Sequence, residues 1–113
     1  MNKNVKQLWI NALQSGEYMQ GSGCLLSCSK EGNKKFCCLG VLVDLFEKEH
    51  ILTFTKDSSG FGPNHQYALP SIVALWSGVS RRQESILMEL NDKKISFGSI
   101  SKIIDMFPEE VQP

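Results

Sequence analysis

The sequence predicts one α+β domain over residues 1–113, in which a small antiparallel sheet, a hairpin plus one strand, packs against four to five helices. Three observations predict it. Apolar residues recur at helical spacing in several separate segments. Two short runs, CLLSCS and KFCC, flank the turn-forming stretch KEGNKK, and a third run, ILTFTK, alternates and is β-branched. The resulting order is helix, hairpin, helix, strand, long loop and then three helices, which is the pattern of an α+β fold.

The first helix covers residues 3 to 15. Val5, Leu8, Trp9, Ala12 and Leu13 fall on one helical stripe, and Ser15-Gly16 ends it, with Gly16 suited to a left-handed cap. EYMQGSGC, residues 17 to 24, carries Gly21 and Gly23 one residue apart and reads as a loop. The hairpin follows over about residues 22 to 37. CCLGVLVDLFEKEH then changes to helical period. Leu39, Leu42, Val43, Leu45 and Phe46 face the core, and Glu47, Lys48 and Glu49 form a solvated last turn. Gly40 inside this helix costs about 1 kcal/mol relative to alanine, so something is expected to pack closely on its backbone.

ILTFTK reads as a strand, and DSSGFGPNHQYA as an irregular loop that carries Phe61, His65 and Tyr67. LPSIVALWSG is a short helix with Pro70 in its first turn and Gly78 as its stop. Ser80 and Gln83 match the S-x-x-Q capping box of the next helix, whose apolar side is Ile86, Leu87 and Leu90. NDKK is a turn. Ser96 caps a last helix with Ile100, Ile103, Ile104 and Phe107 facing inward, and Pro108 ends it.

A chain of 113 residues with 42% hydrophobic content can bury a core without a disulfide or a metal. Its formal net charge of zero gives no general basic field, so no DNA or RNA polymer is expected as partner. MNKNVKQLWINALQSG has no uninterrupted apolar region of a signal peptide, and no segment approaches the roughly 18 apolar residues of a membrane span. The expectation is a cytoplasmic protein with no membrane partner, whose four cysteines are reduced thiols.

Adjacent Cys37 and Cys38 open the second helix. A thiol at a helix N-terminus has its pKa lowered by the dipole, which suits a reactive or ligand-facing group. The alternative is a pair of small buried hydrophobes at a tight strand-to-helix junction. A metal site would draw on Cys24, Cys28, Cys37 and Cys38 with His50 or His65. Zinc favours paired C-x2-4-C knuckles, and Cys24 and Cys28 on one strand would stand roughly 13 Å apart. No metal and no cofactor are therefore expected. Cysteine catalysis would need a thiolate beside His65 with Asp44 to orient it, and GxSxG, HExxH and phosphate-loop sequences are absent.

Ligand binding draws on more of the chain. Glycine lets a ligand approach the backbone, so amides near Gly21 and Gly23 are candidates to hold phosphates. The helix starts at Cys38 and Ser80 offer further N–H groups. Arg81 and Arg82 oppose the dipole of the helix they begin, which makes them candidate phosphate contacts. Tyr18, Phe61, Tyr67 or Trp76 could stack a base, and His65 could close the site. Asn91 and Asp92 read as the end of a helix and its turn, with hydrogen bonding to a ligand as the other use.

The stretches LWINALQSGEYMQGSGCLL, FCCLGVLVDLF, LPSIVALWSG and LMELNDKKISFGSISKIID together resemble a family of small accessory proteins widespread in tailed-phage genomes, marked by a Cys-Cys-Leu-Gly-Val-Leu box. The resemblance runs from about Trp9 to Asp105. Phage proteins of this size often act against host immunity, some as sponges for nucleotide second messengers. The resemblance thus implies a non-enzymatic anti-defence protein that sequesters a nucleotide-derived signal, such as a cyclic nucleotide, in the bacterial host cytoplasm. Such binders often assemble as homo-oligomers. The expected ligand site is Tyr18, Gln20, Gly21, Gly23, Cys37, Cys38, Phe61, His65, Tyr67, Arg81 and Arg82. Two alternatives stand beside it. One is a protein–protein inhibitor of a host defence enzyme, with an exposed apolar patch and no enclosed pocket. The other is a small cysteine-dependent hydrolase with a thiol in hydrogen-bond reach of His65.

Overall fold

Helix α2 is the element on which the rest is assembled. The computed structural model describes residues 1–29, 31–51, 61 and 65–110. The elements are α1 (Lys3–Gln14), β1 (Leu26–Cys28), β2 (Lys34–Phe36), α2 (Cys38–His50), α3 (Ser71–Ser77), α4 (Arg81–Asp92) and α5 (Phe97–Asp105). In α2, residues 38–43 and 45–47 are all buried. A helix apolar on nearly every side must be covered on nearly every side. α1, α3 and α4 all pack against it, and α5 closes over α1 and α4.

The strands pair antiparallel in the register Leu26↔Phe36, Ser27↔Lys35 and Cys28↔Lys34. With five helices and one two-stranded sheet among the described residues, the architecture is α+β. The hairpin is shorter than expected: before β1, Leu25 N donates to the Gln66 carbonyl, and after β2, Cys37 caps α2. Met19 and Gly21 bond to Phe36 as one parallel bridge, so the YMQG segment, expected as loop, runs along β2. The strand expected over ILTFTK falls, apart from Ile51, outside the described residues. Ile51 itself is the left-handed C-cap of α2, with φ 50°.

Local chemistry accounts for the helix ends. Asn2 Oδ1 accepts from Val5 N at 3.0 Å, and Ser96 Oγ accepts from Ser99 N at 3.2 Å. The Ser80–Gln83 capping box is complete in both directions. Pro70 is the N-cap of α3, one position before the first turn, and Gly78 at φ 73° is its stop. The solvated last turn expected for α2 holds at Lys48 and Glu49, whereas Glu47 is buried because it lies on the inward side of the helix.

The core runs from Trp9 on α1 through Leu42 and Phe46 on α2 to Leu87 on α4 and Ile100 and Ile104 on α5. No helix among the described residues is long and apolar enough to cross a membrane.

Candidate functional site

A buried carboxamide sits where three sequence motifs meet. Asn91, in the last turn of α4, has no solvent exposure. Its Oδ1 accepts from the Cys38 amide at 3.1 Å and from Gln20 Nε2 at 3.2 Å, and its Nδ2 donates to the Gly21 carbonyl at 2.7 Å. Gln20 also donates to the Ile95 carbonyl at 2.6 Å and accepts from Phe97 N at 3.1 Å through Oε1. One network therefore ties the Gln20-Gly21 loop, the start of α2 and the α4–α5 turn together. Every member is satisfied, the condition under which a buried polar network fixes one arrangement.

The two cysteines at the head of α2 take structural positions. Cys37 is the N-cap, and its sulfur accepts from Gly40 N at 3.4 Å. Cys38 directs its thiol at the Leu87 carbonyl, 3.7 Å away, while Trp9 Nε1 donates to the Cys38 carbonyl at 2.9 Å. Burial pushes the Cys37 thiol up to about 11 and raises that of Cys38 as well. A Cβ on Gly40 would lie 1.8 Å from the Leu25 carbonyl oxygen, so the close neighbour expected there is the backbone entering β1.

Above the network lies an open groove of about 450 Å³. Gln20, Gly21 and Asn91 line it together with the hydroxyls of Ser22 and Ser27 and the ammonium side chains of Lys35 and Lys94. Among the described residues, neither Lys35 nor Lys94 has an acidic partner. Two unpaired cations beside two hydroxyls form an anion-accepting surface. Lys94 is held there by a Schellman motif. Ile95 N donates to the Leu90 carbonyl at 3.1 Å and Lys94 N to the Asn91 carbonyl at 2.9 Å. This places Lys94 at φ 64°, a position where glycine is the usual residue.

The family model for a domain of unknown function, DUF8296, matches residues 1–107. The chain belongs to this family. The match takes in every helix and both strands of the DUF8296 fold described above. No curated protein and no solved structure matches the chain.

Within this DUF8296 chain the residues expected to form one ligand site are dispersed. Gln20 and Gly21 line the groove. Gly21 and Gly23, however, do not present free amides. Gly21 N donates to the Phe36 carbonyl at 2.8 Å and Gly23 N to Asp92 Oδ1 at 3.1 Å. Gly21 is small for a different reason than ligand approach, since a Cβ there would meet the Lys35 Cβ at 2.8 Å. The amides expected to be open at Cys38 and at the Ser80 cap are also taken, by Asn91 and within the capping box.

Cys37 and Cys38 are fully buried and Phe61 is 1% exposed, so none of the three offers a surface to a ligand in this conformation. A buried thiol raised in pKa is the reverse of the thiolate that a cysteine hydrolase requires. Tyr18 packs edge-on against Phe36, with ring centroids 5.1 Å apart, and its hydroxyl donates to Asp44 at 2.5 Å and accepts from Lys48 at 3.1 Å. Burial and the Asp44 hydrogen bond push this phenol up to about 12. The Tyr18 ring is thus committed to packing, and its hydroxyl to the Asp44–Lys48 pair, which closes at 3.0 Å.

Tyr67, exposed, lines a separate hollow with Met88 and Asp92. Half-buried His65 precedes Gln66, whose carbonyl accepts from Leu25 N at 2.9 Å. Arg81 lines a third hollow beside α3, and Arg82 is exposed in the same first turn of α4. Among the described residues no three His, Cys, Asp or Glu side chains converge on a metal position. The groove residues that the sequence reading passed over are Ser22, Ser27, Lys35 and Lys94. For Lys94 a signal exists: NDKK is turn chemistry, and a lysine at the glycine position of a helix C-terminus is an anomaly in need of a reason.

Proposed function

We propose that this DUF8296 protein is a non-catalytic binder that sequesters a phosphorylated small molecule, a nucleotide-derived signal, in its Lys35–Lys94 groove. The observation that carries the reading is the pair of unpaired ammonium groups over a floor of satisfied polar atoms. Phosphate oxygens between the two lysines would complete both charges, and Ser22 and Ser27 would donate to the remaining oxygens. Lys94 adds support, because its left-handed backbone costs energy that a glycine would avoid. The phage anti-defence setting rests on the resemblance of the motif set.

The test is depletion and recovery. The protein is incubated with cyclic oligonucleotides and ADP-ribose-type nucleotides, the free ligand is measured, and the protein is then heat-denatured. The expected result is depletion of one nucleotide class, its recovery intact, and loss of depletion in the Lys35→Glu, Lys94→Glu double variant. Raised salt should weaken binding, because the contacts are ionic. No depletion of any nucleotide, unchanged depletion by the double variant, or recovery of a cleaved product would each overturn the reading.

A further inference from the structure

Away from the groove, α3 turns two large apolar side chains outward. Ile72 is 51% exposed and Leu75 83%, and they lie three residues apart on one face of the helix. Beside them opens a hollow of about 460 Å³ whose apolar wall is Leu69, Ala74, Val79 and Leu75 itself. Its rim carries Arg81 and Glu110, and among the described residues neither side chain has an ion-pair partner. Glu84, also on this rim, is already engaged, accepting from Leu69 N at 3.2 Å.

This surface is complementary to itself. It presents an exposed leucine at the edge of an apolar hollow wide enough to admit a second one, and, among the described residues, an unpaired cation and an unpaired anion at the same rim. A two-fold rotation exchanges the members of each pair, which is the requirement of an isologous interface, where every contact occurs twice. A partner of another kind would need its own matched charges, whereas a second copy carries them already. We propose that the α3 face is the interface of a two-fold dimer of this chain. Leu75 of each copy seats in the hollow of the other, and Arg81 of each faces Glu110 of the other. Burying Leu75 removes its apolar surface from water, and the rim pairs fix the register.

The experiment is sedimentation equilibrium on the full chain and three variants, with circular dichroism to confirm folding. The native protein should have twice the mass of one chain, and Leu75→Asp should be a monomer. Arg81→Glu alone places two carboxylates together at each rim site, and Glu110→Arg alone places two cations together. Each should weaken self-association by roughly tenfold or more. An equal mixture of these two variants should recover native affinity as a heterodimer, since each altered charge then meets its opposite. That recovery does not depend on Leu75→Asp folding well. A monomeric native protein, a dimer indifferent to Leu75→Asp, or a mixture that associates no better than either variant alone would overturn the proposal. The first of these would leave the face to a different protein.

Discussion

Truncation at Asn91 would strand several buried groups at once. The Cys38 amide and the Gly21 carbonyl would lose their side-chain partner, and Gln20 Nε2 would lose one of its two acceptors. An unsatisfied buried donor or acceptor costs about 1–3 kcal/mol, so Asn91→Ala should destabilise the protein by about 3 kcal/mol or more. Urea denaturation monitored by Trp fluorescence measures this directly, because Trp9 reports on the same corner through its bond to Cys38. The expected signature is a lower midpoint with an unchanged slope. At this scale the sequence was legible where a residue acts on its neighbours and opaque where it acts at a distance. Gly40 announced a close contact because glycine within a helix is costly. Asn91 looked like an ordinary helix end, since its partners Gln20 and Gly21 lie 71 and 70 positions away.

The helices were legible as elements because their boundaries are written in three- and four-residue signals. Ser80 with Gln83, Ser96 with Ser99, and Gly78 each act within one turn. The hairpin was legible as a hairpin but not in its bounds: Lys34 and Lys35, expected in the turn, pair in β2, and Cys37 and Cys38, expected in the strand, begin α2. The C-terminus of α4 carries a prediction. In Lys94→Gly the left-handed residue loses its Cβ strain, offset in part by the entropy that glycine loses on folding. The net change should lie between zero and a gain of about 1 kcal/mol. Lys94→Ala keeps the strain and should show no such gain. Both variants remove the ammonium and should weaken nucleotide depletion alike. Thermal melts paired with the depletion assay separate the two effects: stability should differ between the variants while binding does not.

Across the whole molecule, the four cysteines divide by their depth in the fold. Cys28 is exposed and Cys24 partly so, while Cys37 and Cys38 are enclosed between α2 and its neighbours. With a thiol reagent under native conditions, Cys28 and Cys24 should react readily. Cys37 and Cys38 should react only as fast as the protein opens globally. Urea below the unfolding midpoint should accelerate the slow pair in step with the loss of stability. Fast modification of all four thiols in a folded sample would contradict the packing at the head of α2. The candidate groove, by contrast, belongs to no single stretch of sequence. Lys35 comes from β2, Lys94 from the end of α4, and Gln20 from the loop after α1, and only the tertiary fold makes them neighbours.

The Gln20–Asn91–Phe97 network also sets an order of events during synthesis. Helix α2 and the hairpin leave the ribosome early, yet the start of α2 has no partner for its first amide until Asn91 has been made, and Gln20 is not anchored until Phe97 follows. Helix α1 precedes α2 and can cover one side of it, but the sides that α3 and α4 cover must wait while those helices are translated. Nascent chains of this protein should be substrates for chaperones that shelter such segments, and a pause in translation between α2 and α4 should lower the yield of folded molecules more than a pause placed after α5.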